Sequence, residues 1–431
     1  MNVAHLYRIF TDQREELQSK NFAQLCPRTE ESQIDINSAL AQVVIGVRRS
    51  GKSTMCEKVL VESGVNFAYV NFDDDRLIGL KSDDFDHVLD ALYQIYGDFS
   101  HVFFDEIQNI AHWELFVSRL LRQNKKIIIT GSNSKLLSSE LTTHLTGRHK
   151  KIELYPFSFV EYCNTAGVDL QSMSTKGEAL RKQALSKYLK GGGLPELIFE
   201  SDRVNYVESL LNSIIKTDIS KRFRVRYVEM LKRLASTLCD NFCQEFVPKE
   251  LAKKFGVSDH TIDNYYGYCK EAFLLQGINK FSYKSVERIR HEKMYVVDLS
   301  FVSDRFNTLS TENLGWRLEN VVFIELLRRY HPSYTDIFYY KEKQWEVDFL
   351  VVKNGNVKQA IQVAYDVEHE KTLKREIKAL VKAAEKFNCS DLLLINFNER
   401  REVVENGHHI QIIPAAEWLC ANKSTQLPNC R

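Results

Sequence analysis

The chain has no run of about eighteen apolar residues, so it offers no membrane span. Its first residues, MNVAHLYRIFTDQREEL, lack the basic, then apolar, then small-residue order of a secretory leader. It has no C-x-x-C pair. Nine cysteines are scattered along it, Cys239 and Cys243 are the closest two, and no histidines follow them at zinc spacing. Free thiols in a reducing cytoplasm are the expectation. An excess of charge is missing too: 58 Lys and Arg stand against 57 Asp and Glu, a net charge of +1. No global field drives such a chain onto nucleic acid, so any such binding must come from local patches. Hydrophobic residues at 44% and charged residues at 27% are ordinary for a soluble protein, and 431 residues are too many for one core. Two or three domains are expected.

What is present is more specific. Gly46-Val47-Arg48-Arg49-Ser50-Gly51-Lys52-Ser53 matches G-x-x-x-x-G-K-[ST], the P-loop, at every fixed position. Ala41 to Ile45 before it reads as a strand, and Thr54 to Glu62 after it as a helix. The glycines Gly46 and Gly51 let backbone N–H groups turn toward phosphate, and the helix N-terminus adds positive potential. Arg49, Ser50 and Thr54 complete the candidate phosphate-binding set. Lys52 is placed for the β- and γ-phosphates of ATP, and Ser53 for Mg²⁺. Whether Arg48 and Arg49 face phosphate or solvent is left open.

A strand ending in two acids follows, His101-Val102-Phe103-Phe104-Asp105-Glu106. In P-loop NTPases the first acid of such a strand holds Mg²⁺ and the second polarises the attacking water, so Asp105 and Glu106 take those roles. A third strand, Lys126 to Thr130, leads into Gly131-Ser132-Asn133-Ser134. Gly147-Arg148 then precedes a strand-like run, Lys151 to Leu154.

In these motifs and their order the chain resembles the bacterial and archaeal AAA-type ATPases that join a P-loop domain to a winged helix and a C-terminal endonuclease-like domain. The segments that carry the resemblance are GVRRSGKST (46–54), FFDEIQNI (103–110), IIITGSNS (127–134), LTGRHKKIELYPFSFVEY (145–162), GGGLPE (191–196), GWRLENVVFIEL (315–326) and WEVDFLV (345–351). The resemblance implies a γ-phosphate sensor among Thr130, Ser132 and Asn133. It also implies a role for Arg148 at the γ-phosphate, in its own subunit or in a neighbour's within a homo-oligomer.

The expected fold is α/β: a parallel AAA-type P-loop sheet, a helical region, a winged helix and a C-terminal α/β endonuclease-like domain. The boundaries read as a helical lead-in at 1–33, the P-loop domain at 34–160, helices at 161–235, the winged helix at 236–298 and the last domain at 312–420. Strands are expected near 43–47, 67–71, 101–105, 126–130 and 151–154, with helices between them. Asp73-Asp74-Asp75 reads as a solvated acidic turn. Pro248 to Phe255, Gly256, and a second helix from Asp259 to Phe273 give helix-turn-helix spacing, with Lys280, Lys284, Arg288, Arg290 and Lys293 as wing cations for DNA phosphate. The second helix carries Asp259, Asp263 and Glu271 and no Arg, which weakens base readout. In the last domain Glu319 and Asp348 match the acids of a restriction-endonuclease-like site. Gln362 and Ala364 stand where an acid and a lysine are required, so a degenerate binding or structural module is expected rather than an active nuclease, even with Lys374 on the following helix. The expected function is a Mg²⁺-dependent ATPase that couples hydrolysis to movement. The alternative is a slow nucleotide-gated switch that binds DNA or a protein partner. A metal-dependent nuclease is the third reading.

Overall fold

The computed structural model describes residues 1–132, 145, 147–284, 291–305, 313–330 and 336–421. Its contacts divide the chain into two units. One comprises Met1–Pro156 with Glu271–Phe273; the other comprises Phe157–Lys270 with Leu274–Arg431.

The first unit is built on five parallel strands, β1 (Ala41–Ile45), β2 (Phe67–Asn71), β3 (His101–Asp105), β4 (Lys126–Gly131) and β5 (His149–Glu153). Their order is β2-β3-β4-β1-β5, and every pairing is parallel. Parallel pairing needs crossovers, and those crossovers cover both faces, so the strands read as continuous apolar runs. All five residues of β1 and of β3 are buried. The lead-in belongs to this unit rather than standing before it. Its helix α1 (Val3–Ser19) buries Leu6, Ile9, Phe10, Gln13 and Leu17, a helical stripe, and packs on β2 and on the helix Phe85–Tyr96. Helix α2 (Lys52–Ser63) leaves the P-loop, and Met55, Cys56 and Leu60 carry its apolar face into a core with Val44, Phe103 and Ile128.

The order of strands decides where the site lies. The strand β4 is inserted between the P-loop strand and the acidic strand, with Val44 opposite Thr130 and Phe104 opposite Ile129. The tip of β4 therefore lies between the P-loop and Asp105.

The second unit begins with helices Phe159–Thr165, Thr175–Gly191, Arg203–Ser213 and Val228–Asp240, and a π-helical stretch, Ile214–Lys221, continues the third. The helices Pro248–Phe255 and Asp259–Glu271 follow, with Gly256 between them at φ 69°, a left-handed stop that suits glycine. A three-stranded antiparallel sheet follows, built from β6 (Gln244–Glu245), β7 (Leu275–Asn279) and β8 (Glu292–Val296) in the order β6-β8-β7.

The last part is a six-stranded mixed sheet. Its strands are β9 (Asp336–Glu342), β10 (Trp345–Lys353), β11 (Asn356–Val363), β12 (Asp391–Asn396), β13 (Arg401–Glu405) and β14 (His408–Pro414), in the order β13-β14-β12-β11-β10-β9. The helix Leu314–Arg329 precedes it, and the helix Glu370–Phe387 makes the crossover between the parallel strands β11 and β12. That crossover helix packs Ile377, Leu380, Val381, Ala384 and Phe387 into one core with Val347, Leu350, Leu394 and Ile410. The two sheets of this unit are bonded together: the Phe281 N–H donates to the Tyr339 carbonyl at 2.7 Å. The readings for 236–298 and 312–420 thus fall on one continuous body.

Candidate functional site

The P-loop leaves β1 at its carboxyl end, where open α/β sheets place their ligands. Gly46 has no alternative there. A Cβ at this position would overlap the carbonyl oxygen of Leu154, which follows β5. Gly51 sits at φ 91°, ψ 24°, in the left-handed region, and caps α2. Lys52 is buried, and its Nζ donates to the Val47 carbonyl at 3.0 Å across the loop. Ser50 is fully buried, and its Oγ has no hydrogen-bond partner among the described residues. A loop with an unsatisfied buried hydroxyl, a left-handed glycine and a lysine across it fits a phosphate group. Arg48 is half-buried, while Arg49 and Thr54 are exposed.

The acids meet this loop. Ser53 Oγ donates to Asp105 Oδ1 at 2.8 Å, which joins the first turn of α2 to the end of β3. Thr130 Oγ1 donates to the same Asp105 oxygen and accepts the Glu106 N–H at 3.1 Å. Burial, and then the neighbouring Glu106, push the Asp105 carboxyl up to about 6. Glu106 adopts φ 51°, ψ 40°, and its Oε2 accepts a hydrogen bond from Gln108 Nε2. Among the described residues no three His, Cys, Asp or Glu side chains are grouped to hold a metal. Mg²⁺ does not need such a cage, because it binds through one or two protein oxygens with substrate phosphates and water. Ser53 and Asp105 fit that requirement.

The structure brings Lys52, Ser53, Asp105, Glu106 and Thr130 together. Ser132 is buried just past β4, and Asn133 lies outside the described residues. Arg148 is not brought in. Its carbonyl accepts the Ala41 N–H at 2.9 Å, and the following His149 pairs with Ala41, so it lies at the amino end of the sheet. The P-loop begins at the other end of the five residues of β1, roughly 13 Å away at a strand's rise per residue. A contact from Arg148 to phosphate within one chain is therefore corrected: parallel pairing puts the start of β5 opposite the loop. The acidic turn is occupied locally. Asp74 accepts from Arg76 and from Gln13 Nε2, and the bond to Arg76 holds its carboxyl down at about 2.

One P-loop neighbour had no signal in the sequence. Arg28 is buried; its Nη1 donates to the Ser50 carbonyl at 2.7 Å and its Nη2 to the Tyr155 carbonyl at 2.6 Å. An arginine in a polar lead-in, eighteen residues before Gly46, gives no pattern to read.

A second polar cluster lies in the second unit, over a cavity of about 730 Å³. Glu319, Asp348 and Gln362 do converge there. The Gln362 side chain accepts the Asp348 N–H at 3.3 Å and donates to Glu376 at 2.6 Å, while Asp348 Oδ2 accepts the Val363 N–H at 2.9 Å. The cation among them is Lys293. Its Nζ lies 2.7 Å from Glu319, 2.9 Å from Glu346 and 3.7 Å from Asp348. Burial alone would lower its pKa, but Glu319, Asp348 and Glu346 outweigh that and hold it well above the usual lysine value. Lys293 is thus no wing cation. It points into the body of the unit, in a strand whose Met294, Tyr295 and Val296 are buried as well. Lys374 pairs with Glu370 at 2.7 Å and makes no bond to the acids. Of the other wing cations, Lys280 stands over the Tyr340 ring, Lys284 borders the undescribed stretch, and Arg288 and Arg290 lie within it. The outer face of the second helix presents Asp259, His260, Asp263 and Asn264.

Comparison with known proteins bears on the domain that holds the first site. Residues 38–163 match the model of an AAA domain. Residues 182–311 and 314–418 match two domains of unknown function, DUF8612 and DUF4143. A Methanocaldococcus jannaschii protein, MJ1544, is 35% identical over 393 residues, covering 88% of this chain and 87% of the relative. A Haemophilus influenzae protein is 30% identical over 342 residues, covering 76% and 82%. The Thermotoga maritima RuvB Holliday junction branch migration motor aligns over 61% of this chain and 88% of its own at 16% identity. Its TM-score of 0.25 is too low to carry an argument. The chain belongs to the family of MJ1544, and its residues 38–163 match an AAA domain.

Proposed function

We propose that the protein binds ATP with Mg²⁺ and hydrolyses it, and that hydrolysis drives a conformational change. The observation that carries this reading is the bonded chain Ser53–Asp105–Thr130–Glu106, which ties the P-loop helix, the acidic strand and the inserted strand into one locus. Gly46, Ser50, Gly51 and Lys52 hold the phosphates, with Arg49 and Thr54 at the rim. Ser53 and Asp105 hold Mg²⁺, which supplies neutralisation of charge on the β- and γ-phosphates. Glu106 orients and polarises water, and Thr130 or Ser132 reports the γ-phosphate. Arg148 acts on the γ-phosphate of a neighbouring copy.

One observation favours the slower switch as the second reading. Glu106 Oε2 accepts a hydrogen bond from Gln108 Nε2, which holds the carboxylate and competes with water for that oxygen. A partner that displaces Gln108 would then accelerate turnover. A protein partner suits the second unit better than duplex DNA, because the outer face of Asp259–Glu271 carries acids and Lys293 is buried. We propose 1–33 with 34–160 as the nucleotide-binding part, and 161–235, 236–298 and 312–420 as segments of one second body, the last without nuclease chemistry. Steady-state hydrolysis of ATP by purified protein, with and without duplex and single-stranded DNA, tests these statements. Absence of turnover in the presence of Mg²⁺ would sink the ATPase reading. Strong stimulation by DNA would restore the DNA partner.

A further inference from the structure

Arg28 lies outside every motif that the proposed chemistry uses, yet it is buried against the P-loop. Its Nη1 donates to the carbonyl of Ser50 at 2.7 Å. In a planar trans peptide the carbonyl and the next N–H point in opposite directions. Fixing the Ser50 carbonyl on Arg28 therefore fixes the Gly51 N–H on the other side of that peptide. Bonds from a guanidinium are charge-assisted and directional, and the second one, from Nη2 to the Tyr155 carbonyl at 2.6 Å, keeps the group from rotating. Gly51 answers to its backbone: at φ 91° it takes a left-handed conformation that L side chains rarely adopt, while a Cβ there would meet Nη1 at 3.4 Å, an ordinary contact. The segment that carries Arg28 is itself anchored. The Arg28 N–H donates to Glu31 at 2.8 Å, and Glu31 binds Lys58 of α2 at 2.9 Å. Lys150 of β5 donates to the Gln33 carbonyl. The guanidinium is thus held from both sides of the loop that it touches.

We propose that Arg28 is a positioning residue of the phosphate site, which turns the Ser50–Gly51 peptide so that the Gly51 N–H serves the phosphate of a bound nucleotide. The proposal rests on the ATP-binding reading and adds a residue outside the P-loop to it. An ordering role of this kind acts on ground state and transition state alike, so it shows in KM rather than in kcat. ATP and ADP should be affected equally, since a pinned backbone amide does not distinguish them through the γ-phosphate.

The test compares the full chain with Arg28→Ala, Arg28→Lys and Lys52→Ala, by calorimetric binding of ATP and ADP with Mg²⁺ and by steady-state hydrolysis, well below the melting temperature of each variant. Arg28→Ala is expected to weaken both nucleotides about tenfold or more and to raise KM by a similar factor, with kcat within about twofold, the scale of one lost charge-assisted bond. Arg28→Lys retains the charge but reaches only one of the two carbonyls, so it should fall between. If Arg28→Ala does not fold, Arg28→Lys carries the test. Wild-type affinity in a folded Arg28→Ala or Arg28→Lys, while Lys52→Ala loses binding, overturns the role of Arg28 alone. A fall in kcat at unchanged KM overturns it as well. Failure of the wild type to bind either nucleotide overturns the ATP reading and this proposal with it.

Discussion

Lys52 spans the P-loop with its ammonium on the Val47 carbonyl, and in the proposed function it is the cation that meets the terminal phosphates of ATP. Lys52→Ala should leave the parallel sheet intact, because Lys52 opens α2 beside the loop and lies in no strand. It should weaken ATP binding about tenfold to a hundredfold, the worth of a hydrogen bond to a charged group, and abolish turnover. Circular dichroism with calorimetry reads the first two effects, and phosphate release the third; unchanged turnover in Lys52→Ala would falsify the ATPase reading. Glu106 differs in kind. Glu106→Gln keeps the size and removes the charge that polarises water, so ATP binding should persist while hydrolysis slows at least about a hundredfold. Loss of ATP binding in that variant would instead make Glu106 a ligand. Both residues were legible in the sequence because their motifs are local: the P-loop spans eight residues, and the acid pair closes one strand. Arg28 was not legible, because its partners Ser50 and Tyr155 are brought to it only by the sheet.

At the scale of elements, the strand β8 carries the clearest departure from expectation. A lysine beside a basic stretch reads as a surface cation, yet Lys293 is 5% exposed and stands among three carboxylates. Removing one partner of such a cluster leaves the others buried without compensation. Lys293→Met should therefore destabilise the second unit by roughly 3–5 kcal/mol in urea titration, and adding Glu319→Gln to it should cost less than the sum of the two single changes. A loss under about 1 kcal/mol would mean that water reaches the cluster and screens it. The strands β1 to β4 were readable from their apolar runs. The hairpin β13–β14 was not, because it is short and its first strand is largely exposed. The long helix Thr175–Gly191 falls within the stretch 161–235 read as helices, but its own bounds were not legible: its sequence is mostly polar, and its buried Ala184, Leu185, Tyr188 and Leu189 gather in its second half.

At the scale of the whole molecule, the issue is whether the second polar cluster does chemistry. Its acids are matched by Lys293, its glutamine by Asp348 and Glu376, and the place of a water-orienting lysine is taken by Ala364. Each missing group is typically worth a few kcal/mol of transition-state stabilisation. No cleavage of duplex or single-stranded DNA is expected with Mg²⁺ or Mn²⁺, with or without ATP. Cleavage that disappears in Asp348→Ala would overturn this and restore the nuclease reading.

The sequence by itself determined the parts whose physics is local. It gave the P-loop and the acidic strand their identity, because phosphate binding and Mg²⁺ chemistry demand particular residues at fixed short spacings. It determined the parallel α/β class through alternating apolar strands and helices. Only the tertiary structure decided what depends on strand order and on burial. The insertion of β4 between β1 and β3 set Thr130 against Asp105, and parallel pairing carried Arg148 to the far end of the sheet. Packing of β8 against β10 and the helix Leu314–Arg329 turned Lys293 from a wing cation into a buried counter-ion. A lysine's charge costs little in water and several kcal/mol in a core, so its meaning follows from the neighbours that folding supplies, and those lie 26 to 55 residues away along the chain.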